Sequence, residues 1–62
     1  MPYESTKDLP EAQTKKYSGN QKRAFMHAFN SQLERGLPES RAFATAHTAA
    51  KRAHRGKAKR HQ

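Results

Sequence analysis

Apolar residues recur at helical spacing in two stretches of the chain and are sparse elsewhere. Phe25, Phe29 and Leu33 stand at i, i+4 and i+8, with Ala24 and Ala28 beside them, while Lys22, Arg23, Gln32 and Glu34 lie largely off that stripe. The pattern predicts an amphipathic helix over 20–35. Ser18 and Asn20 both suit its N-cap, so its start is open by two or three positions. Gly36 then predicts a left-handed stop, Leu37 the apolar residue that folds back over it, and Pro38 the first position of another helix. That helix, over 38–55, gathers Ala42, Ala46, Ala49, Ala50 and Ala53 on one side with Phe43 as its single large apolar residue. A short turn makes the two helices antiparallel neighbours. The phenyl rings of the first then fill the space above the alanines of the second.

Upstream, residues 1–10 hold the isolated hydrophobes Tyr3 and Leu9 among polar residues and read as an irregular arm. Pro10, followed by Glu11, suits a first helical turn, so a short helix is expected over 10–17. Asn30 is polar, of poor helix propensity, and borders the apolar stripe. A fixed hydrogen bond to the backbone of residues 2–9 explains its presence and pins the arm. The expected structural residues are Tyr3, Leu9, Phe25, Phe29, Asn30, Leu33, Leu37 and Phe43, with Tyr3 lying over the central helix and its hydroxyl near water.

Composition agrees with an all-α fold. Val, Ile, Trp and Cys are absent, which removes the favoured strand formers, disulfides and thiolate metal sites. Ten of the twenty apolar residues are Ala, so the core of this 62-residue chain is small. There is no run of about 20 apolar residues and no signal-peptide core, which predicts a cytoplasmic protein without membrane insertion.

Charge is distributed unevenly. Thirteen Lys and Arg against five Asp and Glu give +8, and of this only +2 falls in 1–50; residues 51–62 carry six basic groups and no acidic one. The fold is therefore assigned to 1–55, and 56–62 to a basic tail that is disordered when free.

Met1-Pro2-Tyr3, Asp8-Leu9-Pro10, Ala28-Phe29-Asn30-Ser31 and the stretch Glu39 to Lys51, in this order and spacing, resemble the ChaB-like family. That family is named for a regulator of cation transport. Its members are small helical proteins, some encoded by phages and baculoviruses and some linked to DNA binding. The resemblance covers residues 1–52 and implies a small bacterial or phage protein that regulates through its partners. Departures occur at Tyr17-Ser18, where the family has Leu-Pro, at Gln21, which stands one position off, and at His47, where the family often has Trp. The basic tail is additional.

Candidate chemistry is narrow. His27, His47, His54 and His61 lack the spacing of a metal site, and the five carboxylates are scattered, with no phosphate loop and no nucleophile elbow. A core this small encloses no water-excluding pocket. No enzymatic activity, cofactor or small-molecule substrate is expected. The functional candidates are Arg41, His47, Lys51, Arg52, His54, Arg55, Lys57, Lys59 and Arg60, read as a basic ridge on the last helix continued by the tail. Such a ridge fits nucleic acid, DNA before RNA, through largely sequence-independent phosphate contacts. The competing expectation is a protein-interaction regulator with an acidic or membrane-associated partner.

Overall fold

Two antiparallel helices meet across Gly36 in the computed structural model, which describes the backbone of residues 3–59 and the side chains of residues 3–53. A 3-10 turn, Thr6–Asp8, precedes three α-helices: α1 (Glu11–Thr14), α2 (Gly19–Glu34) and α3 (Glu39–Lys59). No strand occurs among the described residues. The all-α hairpin expected from the two stripes is thus the architecture of the chain.

The ends of α2 are set by local chemistry. Ser18 is extended at φ −76° and ψ 176°, and its hydroxyl accepts the Gln21 amide at 3.3 Å while the Gln21 side-chain oxygen accepts the Ser18 amide at 2.9 Å. This reciprocal capping box decides the helix start in favour of Ser18 over Asn20. At the other end Gly36 sits at φ +88°. Its amide donates to the Leu33 carbonyl at 2.9 Å, and the Leu37 amide donates to Gln32 at 3.1 Å. These two bonds form a Schellman motif, which satisfies carbonyls left free by the helix end and reverses the chain in two residues.

Phe25 and Phe29 from α2 are buried against Ala42, Ala46 and Ala50 of α3, all three of which have no exposed surface. Phe43 leans over both rings, with centroids 6.1 Å from Phe25 and 4.7 Å from Phe29. Leu33 and Met26 pack at the margin, while Leu37 is half-buried at the turn, apart from this cluster. Leu9 closes the core from the arm, delivered there by the 3-10 turn. The arm itself is held by Asn30, which is 4% exposed. Its Oδ1 accepts the Tyr3 amide at 3.1 Å and its Nδ2 donates to the Tyr3 carbonyl at 2.9 Å, so both backbone groups of one residue are satisfied.

Two elements depart from the sequence expectation. α1 is a single turn, because Lys15–Tyr17 curl away and the Tyr17 amide bonds the Thr14 carbonyl at 2.9 Å. Thr14 is buried although polar, its hydroxyl donating to the Pro10 carbonyl at 3.1 Å. α3 does not stop near 55 but continues through Gly56 to Lys59. Helix hydrogen bonds are local, and a Gly costs only about 1 kcal/mol against Ala, which is not enough to end a helix already propagating. Residues 60–62 of the expected tail lie outside the described residues.

Candidate nucleic-acid interface

The alanine face of α3 fixes what its opposite face presents. With Ala42, Ala46 and Ala50 turned inward, a 100° advance per residue turns Arg41, Ala44, Thr48, Lys51 and Arg52 outward, and all five are exposed. The backbone register carries positions 55 and 59 along the same strip. Ala44 and Thr48 keep its middle low, and the Thr48 hydroxyl is turned back onto the Ala44 carbonyl at 3.2 Å. Arg41 and Arg52 stand about 16 Å apart along the axis. Between them and Glu39 at the helix start there is no further acidic residue on α3. The strip is therefore a cationic edge over a shallow surface, suited to long side chains reaching along a polyanion.

His47 is not part of that edge, which corrects the ridge drawn through 47, 51 and 55. It is half-buried and turned toward α1. Its ring meets Phe25 edge-on at 5.0 Å and lies 5.7 Å from the Tyr17 ring. The Nε2 atom is 3.0 Å from Gln13 Oε1, which can only accept, so Nε2 carries the proton. The Tyr17 hydroxyl lies within hydrogen-bond distance of Nδ1 on the other side of the ring, at 2.6 Å. Gln13 on α1 and Tyr17 on the turn after it converge on His47, a placement set by the tight turn in which the Tyr17 amide bonds the Thr14 carbonyl.

Of the remaining candidates, Arg41, Lys51 and Arg52 are exposed as expected. The side chains of His54, Arg55, Lys57, Lys59 and Arg60 lie outside the described residues. The structure adds two cations that were not singled out, Lys15 and Lys16, both exposed on the turn that carries Tyr17 toward His47. Among the described residues no three His, Cys, Asp or Glu side chains converge as a metal site. No described helix is long and apolar enough to cross a membrane.

Tyr3 has a displaced titration. Partial burial pushes its phenol above the ordinary value, and the Glu39 carboxylate adds to the shift. The ring lies 5.0 Å from Phe29, half-buried over α2.

No protein-family model, no curated protein and no solved structure matches this chain.

Proposed function

We propose that the protein is a small nucleic-acid-binding accessory protein that grips phosphates along the outer face of α3 and through the basic run over 51–62. The reading rests on one observation: the face of α3 opposite the core exposes Arg41, Lys51 and Arg52 around the small residues Ala44 and Thr48, with no acidic residue after Glu39. Helix-dipole compensation accounts for cations at a helix end. It does not account for Arg41 in the first turn of α3, nor for a run of six basic groups without acidic balance over 51–62.

The strip lacks Asn and Gln, the side chains that read adenine edges, so binding is expected to depend on phosphates rather than on sequence. The protein acts as a binding module with no reaction of its own. The resemblance to ChaB-like proteins, some of which are linked to DNA binding, is in keeping with this reading.

Fluorescence anisotropy with a random-sequence duplex tests it. Four to six neutralised phosphates give a log–log salt slope of about −4 to −5. Replacing Arg41 and Arg52 together by Gln is expected to reduce the slope by about 2, with helical circular dichroism unchanged. Absence of duplex binding at low salt, with retention of an acidic protein from nuclease-treated lysate, overturns the proposal in favour of a protein-interaction regulator.

A further inference from the structure

Between α1 and α3 lies an open cleft of about 300 Å³, lined by Ala12, Gln13, Lys15, Lys16, Tyr17 and His47. Two lysines and a histidine are among its lining residues, and no carboxylate is. The floor is fixed, because the His47 ring is wedged edge-on against Phe25 and held by the Tyr17 hydroxyl at 2.6 Å. That contact occupies Nδ1, and Nε2–H is the donor facing the cleft, where it is taken only by the side chain of the exposed Gln13 at 3.0 Å. A neutral amide on an exposed residue is a replaceable partner. An anionic oxygen at the same place makes a stronger, charge-assisted bond, and two lysines stand at the rim to receive its other oxygens.

Another depression near the arm, about 250 Å³ between Lys7, Lys22 and Glu11, differs on this point. Its own carboxylate offsets its lysines. Nor does the dipole of α1 oppose an anion in the first cleft, since a single turn aligns too few peptides to build one.

We propose that this cleft binds a phosphate group, with Lys15 and Lys16 contacting its oxygens and the Nε2–H of His47 donating to one of them as Gln13 swings aside. The group is that of a nucleotide end or of a phosphodiester backbone, and the site is distinct from the outer strip of α3. Lys51, one turn beyond His47 and exposed, belongs to that strip and lies on the side of it that His47 borders. A chain of phosphates following α3 thus has a second point of attachment at the α1 corner.

The experiment is an NMR titration of the ¹⁵N-labelled protein with inorganic phosphate against chloride at matched ionic strength, read at the His47 ring nitrogens and the Gln13 to Tyr17 amides. A saturable shift centred on His47 Nε2 is expected. Lys15→Ala and Lys16→Ala are each expected to weaken binding about tenfold, the scale of one charge-assisted contact, while Lys15→Arg retains it. Both lysines are exposed, so these variants leave the core intact. Thymidine 5′-monophosphate and a dinucleotide carrying only an internal phosphodiester separate the sources: saturation by the first alone assigns a terminal phosphate, and saturation by both assigns the backbone. A non-saturating drift spread over all basic residues, or an unchanged isotherm in the Lys15→Ala/Lys16→Ala double variant, overturns the proposal. The Arg41→Gln/Arg52→Gln variant is expected to keep the phosphate isotherm while losing duplex affinity, so failure at one surface is read separately from failure at the other.

Discussion

Asn30 and Tyr3 are joined by two hydrogen bonds, of 3.1 and 2.9 Å, in which one side-chain amide satisfies both backbone groups of a residue 27 positions away. The pair acts as a one-residue strand contact made by a helix. It holds the Tyr3 ring over Phe29 and so covers the part of the core that α3 leaves open. Asn30→Ala removes both bonds and leaves an arm with unpaired backbone groups. A loss of about 1–3 kcal/mol is expected. The arm should also become cleavable by a protease under conditions where α2 and α3 remain protected. Unchanged melting together with unchanged arm proteolysis would refute the clasp.

Phe29 is 2% exposed and touches Tyr3, Phe25 and Phe43 through its ring. Phe29→Ala is expected to cost about 3–5 kcal/mol, comparable with the whole stability of a domain this small. Differential scanning calorimetry should then show no cooperative transition. An unaltered melting curve would place Phe29 outside the core.

The Tyr3 phenol gives the fold a dependence on alkaline pH. Its native value is raised by burial and by Glu39, so the native state holds this proton more tightly than the unfolded chain. The corresponding stability is complete below about pH 10, the unfolded value, and is lost as pH rises through the higher native value. Chemical denaturation across that window should show a decline that Tyr3→Phe abolishes.

A chain ending at Ala53 keeps every buried residue of the core and loses Arg55, Lys57, Lys59 and Arg60, lowering the formal charge from +8 to +4. If α3 binds phosphates along its whole outer strip, the salt slope of duplex binding should fall by up to about 3. Far-ultraviolet circular dichroism should lose only the contribution of the removed turns. An identical slope in the shortened protein would confine the contact to Arg41, Lys51 and Arg52.

The hairpin was legible in the sequence because its signals are local. Ser18, Gly36 and Pro38 punctuate the chain, and the Phe25–Phe29–Leu33 spacing needs no knowledge of what it packs against. Asn30 was legible for the opposite reason, as a polar residue placed where a helix has no use for it. His47 was not. Its partners Tyr17 and Gln13 lie 30 and 34 positions away on an element whose position depends on the finished fold. His47 and Lys51 stand one helical turn apart on α3, yet the inward turn of Ala46 and Ala50 rotates His47 toward α1. The end of α3 was misjudged because Gly56 marks a boundary only when something else stops the helix there.

The alanines at 42, 46 and 50 and the phenylalanines at 25 and 29 give the two helices opposite mutational histories to come. At the alanines, every replacement except Gly adds atoms to a surface that has no room, so change there forces the helices apart. At the phenylalanines nearly every replacement removes atoms and leaves a void. A compensating pair, one position growing as the facing one shrinks, is the route by which this core can drift in sequence while the hairpin persists. Since Ala46 and Ala50 also set the rotation of α3, such drift carries the outward strip with it: the spacing between the helices and the direction in which Arg41, Lys51 and Arg52 project are one variable.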